Sequence, residues 1–108
     1  MALIKKYDDQ QNLWQLDLSG EIDIYNAEDL KQDLHALIDE HKGDVIIDCK
    51  GLQYIDSTGL GVLVSALKVV KDYNGYVKLT SLKSHIAKIF NLTGLTKIME
   101  IEEYKDEA

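Results

Sequence analysis

Leu13, Leu16 and Leu18, with Trp14 beside them, run into Ser19-Gly20 with partial period-two alternation. That pattern predicts a strand with one buried face. Residues 2–7 are its expected antiparallel hairpin partner, turned by Asp8-Asp9-Gln10-Gln11-Asn12. From Ala27 the period changes. Ala27, Leu30, Leu34, Leu37 and Ile38 fall on one stripe of an amphipathic helix. Asn26 is its expected N-cap, Glu28 and Asp29 put negative charge in the first turn, and Lys42-Gly43 closes it. Residues 44–49 are then a nearly unbroken apolar, β-branched run, which predicts a central strand covered on both faces. Leu60, Leu63, Val64, Leu67 and Val70 carry a second helix that ends at Asn74-Gly75. Residues 76–80 read as a strand. Ser84 is placed to cap a short helix through Ile86, Ile89 and Phe90, ended by Gly94, and residues 98–101 read as a last short strand.

The expected order is therefore β-β-α-β-α-β-α-β: a mixed, mostly parallel sheet with helices packed on it, joined by right-handed crossovers. The chain has 108 residues and no proline. It shows no internal repeat and no Gly/Ser-rich linker, so residues 1–108 are read as one domain with an acidic tail from about 102. With 12 Lys+Arg against 19 Asp+Glu the formal charge is −7, which argues against direct binding of nucleic acid. No stretch has the length or apolarity of a signal peptide or a membrane span, so no membrane partner is expected and the location is read as cytoplasmic. A chain of this size and charge is expected to be a monomer when free.

Loops at the carboxyl ends of parallel strands form the functional rim of such a sheet, and residues 50–61 lie there. Within them Tyr54-Ile55-Asp56-Ser57-Thr58-Gly59-Leu60-Gly61 joins a strand to a helix and breaks a local rule. Two glycines early in a helix cost roughly 1 kcal/mol each relative to alanine. Either the helix packs closely on the sheet, or the missing side chains leave its start open to another molecule. Ser57 sits where an N-cap belongs. A hydroxyl at an exposed helix start is also accessible to a kinase, and free N–H groups there would accommodate an added phosphate. Thr58 is the competing acceptor, one residue further in, where a hydroxyl more often bonds back to the preceding turn.

Other chemistry is poorly supported. His35 and His41 are six apart on one helix and so face different directions, and with a single cysteine no metal-ligand spacing emerges. Cys49 lies inside an apolar run, where a thiol is more often inert. No G-x-S-x-G elbow surrounds Ser57, and no Gly-Lys-Ser/Thr ending marks a phosphate loop. Asp48 at a strand end is the right residue for a phospho-receiver, yet the acidic pair expected on the first strand's loop is missing. No catalytic residue, metal or cofactor is assigned.

The segments Leu18-Ser19-Gly20-Glu21-Ile22-Asp23, Val45-Ile46-Ile47-Asp48 and Asp56-Ser57-Thr58-Gly59-Leu60-Gly61, at this separation, resemble the bacterial anti-sigma factor antagonists of the STAS-domain family. The resemblance spans nearly the whole chain; it departs at the C-terminus, where many relatives end in a longer helix. It implies a non-enzymatic regulator of transcription working by partner switching. The unphosphorylated form binds an anti-sigma factor that is also a serine kinase, and so frees a sigma factor. Phosphorylation on Ser57 ends that binding, and a serine phosphatase restores it. The partner-binding residues implied are Asp23, Asp56, Ser57, Thr58, Gly59, Leu60 and Gly61. Two other readings stay open: a STAS module in a stress-signalling or lipid-transport assembly, and a small nucleotide- or ligand-binding sensor using the same helix start.

Overall fold

The computed structural model describes residues 1–104, so the end of the acidic tail lies outside the described residues. Six strands and three helices follow one another as β1 (Ala2–Asp8), β2 (Leu13–Ile22), α1 (Ala27–Glu40), β3 (Asp44–Asp48), β4 (Leu52–Ile55), α2 (Ser57–Lys71), β5 (Val77–Leu82), α3 (Ser84–Leu92) and β6 (Glu100–Glu103), with a 3₁₀ turn at Leu95–Lys97. The strand order is β1-β2-β3-β5-β6, and β4 pairs with β2 off that path. Only β1 and β2 are antiparallel; the remaining pairings are parallel. This is the mixed, mostly parallel α/β sheet expected, with one strand more. No helix among the described residues is long and apolar enough to cross a membrane.

The extra strand exists because β2 bends. Leu13 to Asp17 lie beside β3, whereas Gly20 to Ile22 lie beside β4, with an irregularity between Gly20 and Glu21. Gly20 has φ +86°, a left-handed conformation that a side chain would strain. The strand therefore serves two partners in succession, and its end carries the rim.

Trp14, Leu16, Leu18, Val45, Ile47, Val77 and Leu79 point inward and join the buried residues of all three helices in a single apolar cluster. All five positions of the predicted α1 stripe are buried there. Phe90, fully buried, brings α3 into the same core. The opposite face of the sheet differs from expectation. Gln15 and Asp17 are exposed, and Ile46, Asp48, Lys78 and Thr80 are half-buried. β3 is thus covered on one face, and Ile46 is an apolar residue on the open one. Gly43 also departs from its expected role. Helix α1 closes at His41, whose N–H donates to Leu37 O, and Gly43 instead packs against the backbone of Asn12.

Candidate functional site

The ends of β2 and β4 place the rim. Ile22 pairs with Ile55, and the Asp56 N–H donates to Ile22 O at 3.2 Å, so the chain leaves both strands at one point, with Asp23 and Asp56 side by side. On the β2 side the turn is held by its own side chains. Asp23 Oδ1 accepts from the Tyr25 N–H at 2.9 Å; Asn26 Oδ1 accepts from the Asp23 N–H at 3.0 Å, and Asn26 Nδ2 donates to Glu21 O at 2.9 Å. Asn26 occupies the N-cap position of α1, but its side chain makes no bond to that helix. It ties residues 21–26 into a rigid turn instead.

On the β4 side the N-cap is Asp56, not Ser57. Asp56 Oδ1 accepts the N–H groups of Thr58 (3.0 Å) and Gly59 (3.1 Å), together with the Thr58 hydroxyl. The hydroxyl bond first, then the Gly59 N–H, hold the carboxyl below its ordinary value. The reason is positional: β4 fixes Ile55 in the sheet, so Asp56 is the first residue free to turn, and a carboxylate suits the positive end of the helix.

Ser57 is then the first residue of α2. It is exposed, and its hydroxyl enters none of the cap bonds. Thr58 is also exposed, but its hydroxyl is engaged with Asp56. Two of the N–H groups expected to receive a phosphate, those of Thr58 and Gly59, are already taken by the carboxylate. No imidazole attends Ser57 either. His35 Nε2 lies 2.9 Å from Ser65 Oγ, His85 Nε2 lies 3.1 Å from Gln53 O, and His41 stacks on Tyr7.

The two glycines separate cleanly. A methyl group on Gly59 would meet Ile55 Cγ1 at 2.6 Å and Ile22 Cγ2 at 2.8 Å, both side chains buried. Gly59 is thus an internal packing residue beneath the rim and presents no surface to a visitor. A methyl group on Gly61 would meet nothing within 4 Å. Internal packing gives no reason for a glycine there. Leu60, half-buried, packs against the core.

Between α1 and α2 runs a groove of about 330 Å³, walled by Ile24, Ala27, Glu28 and Lys31 on one side and by Thr58, Gly61 and Val62 on the other. A larger hollow of about 580 Å³ lies by the C-terminal halves of the same helices, away from the rim. Two residues not singled out in the sequence stand on the turn before α1, and the first of them lines the groove. Ile24 is 69% exposed and Tyr25 is 91% exposed. Their signal was legible: two large apolar residues inside a polar turn. Among the described residues no group of three or more His, Cys, Asp or Glu side chains is placed to hold a metal ion. Cys49 is fully buried, and burial, with the Asp48 charge beside it, pushes its thiol up to about 12.

The STAS domain pattern matches residues 5–108. The chain belongs to the STAS domain family. It is 41% identical over 91 residues to the anti-sigma-B factor antagonist of Bacillus subtilis, covering 84% of this chain and 83% of that protein. The STAS fold seen here superposes on a Thermotoga maritima crystal structure with a TM-score of 0.83 at 25% identity, over 94% of this chain and 86% of that one. The phosphorylated form of the Bacillus cell fate determinant SpoIIAA shares the fold with a TM-score of 0.71 at 19% identity, over 98% of this chain and 93% of SpoIIAA.

Proposed function

We propose that this STAS domain is an anti-sigma factor antagonist that switches partners through Ser57. Unphosphorylated, it binds an anti-sigma factor with serine kinase activity and so frees a sigma factor; phosphorylated, it lets go, and a serine phosphatase resets it. The observation that carries the reading is the free, exposed Ser57 hydroxyl beside the bare surface of Gly61, in a chain so close to an anti-sigma-B factor antagonist. Asp23, Asp56, Thr58, Leu60 and Gly61 form the surrounding contact rim, with Gly59 shaping it from beneath.

The chemistry of release follows from the charges. A kinase must bring the terminal phosphate of its nucleotide to the Ser57 oxygen. After transfer the phosphoserine carries about −1.5 to −2 charges and faces the nucleotide's remaining phosphates, with Asp56 and Asp23 adding to the repulsion. At roughly 4 Å near a protein surface a pair of unit charges interacts by about 4 kcal/mol, and each ~1.4 kcal/mol is tenfold in affinity. The domain itself supplies an acceptor hydroxyl and a docking face, and the partner supplies the catalysis. The sensor alternative is disfavoured at this helix start, because Asp56 fills the place a ligand phosphate would need.

Intact-mass measurement after incubation with the cognate kinase and ATP tests the reading. The wild type gains one phosphoryl group and leaves the complex; Ser57→Ala binds but is neither modified nor released; Ser57→Asp binds weakly. A phosphoryl group still added to Ser57→Ala overturns the assignment.

A further inference from the structure

We infer that Ile24 and Tyr25 are the apolar anchor by which this domain grips its anti-sigma partner, inserting into an apolar pocket rimmed by basic side chains. The inference rests on the partner-switching reading and adds to it the energetic centre of the interface and the chemistry of the face it meets.

Tyr25 is 91% exposed and Ile24 69%, side by side on one turn. Large apolar side chains held out in water are informative when they cluster. This turn is also rigid: the Asp23 and Asn26 side chains lock its backbone from both ends. A preorganised aromatic tip loses little freedom on docking, which is what interface hot spots require. The tip is continuous with the switch. Ile24 lines the same groove as Thr58 and Gly61. A partner that fills this groove touches Ile24 together with Thr58 and Gly61.

Charge defines the occupant. Glu21, Glu28 and Asp29 are exposed around the tip, and Asp23 and Asp56 are half-buried beneath it, against Lys31 as the one base in the groove wall. The complementary face is apolar at its centre and rich in Lys or Arg at its edge. This division also separates grip from release. The basic rim meets the acids around Tyr25, while the added phosphate acts at Ser57.

Calorimetry with the cognate anti-sigma kinase, loaded with ADP, tests the anchor. Tyr25→Ala and Ile24→Ala should each weaken binding at least tenfold while leaving the melting temperature unchanged, since neither side chain is buried. Glu28→Gln should flatten the salt dependence of binding. If the wild type binds and the Ile24→Ala/Tyr25→Ala double variant binds within twofold of it, the anchor is refuted and partner switching stands. If the wild type does not bind the kinase at all, both are refuted. Sedimentation of the free protein supplies the last arm: a dimer that Tyr25→Ala dissolves would assign the tip to a second copy of this chain and overturn the proposal.

Discussion

Gly59 and Gly61 lie two residues apart on one helix, and alanine at each should move stability in opposite directions. At Gly61 the added methyl meets nothing within 4 Å, so the helix gains the propensity difference of about 0.8–1.0 kcal/mol and loses nothing. For 108 residues the unfolding entropy is roughly 0.2 kcal/mol per degree, which converts that gain to a rise of about 4 °C. At Gly59 the methyl lands 2.6 Å from Ile55 Cγ1 and 2.8 Å from Ile22 Cγ2. Ile22 is 0% exposed and Ile55 3%, so neither can swing aside into solvent. Overpacking of this kind costs roughly 1–3 kcal/mol, which outweighs the propensity gain and lowers the melting temperature by a few degrees. Thermal unfolding followed by circular dichroism measures both. A second arm uses Gly61→Leu, which fills the groove between α1 and α2. It should weaken binding of the anti-sigma kinase at least tenfold without lowering the melting temperature. A Gly61→Ala variant that melts below wild type, or a Gly59→Ala variant that melts above it, refutes the division of labour between the two glycines. Equal loss of stability and binding in Gly61→Leu refutes the open-surface argument.

Asp56→Ala should lower stability near neutral pH through loss of the helix cap. Because the folded carboxyl titrates below its ordinary value of 3.8, the wild-type advantage is full above that pH and is lost as pH falls through the lower folded value; denaturant titrations at several pH values check this, and a gap unchanged in strong acid contradicts it. Cys49 gives the opposite dependence. Its thiol ordinarily ionises near 9.0 and here near about 12, so the unfolded chain loses its proton first and stability falls by up to about 1.4 kcal/mol per pH unit between those values. The Cys49→Ala variant should show a shallower alkaline slope, measured by urea unfolding; an identical slope removes the thiol from the account.

The amphipathic helix α1 was legible because all five apolar positions of its stripe serve one purpose, burial, and the period declares it. β3 was legible as a strand but not in its surroundings. Ile46 sits on the open face between buried Val45 and Ile47, so an apolar residue facing water concealed the alternation. β4 left almost no local mark. Four residues, Leu52-Gln53-Tyr54-Ile55, become a strand because β2 bends at Gly20 and offers them an edge, a long-range cause that no window of sequence contains. The cap shows the same limit. Asp56 and Ser57 are both good cap residues, and the tie is broken by parallel pairing that holds Ile55 in the sheet and frees the chain one residue later.

That one-residue difference matters to the proposed switch. Had the serine capped α2, its hydroxyl would be a structural acceptor, and a phosphate on it would either break the cap or be absorbed by the helix N-terminus. With Asp56 in that place, the N–H groups of Thr58 and Gly59 are committed, and the fold draws nothing from the Ser57 oxygen. A charge added there finds those two N–H groups occupied, and at an exposed position screening by solvent keeps the repulsion within the domain small. Stability and signalling are thereby assigned to adjacent residues. The carboxylate fastens the helix, and on the proposed reading the hydroxyl is modified and restored at the expense of a partner's affinity rather than of the fold.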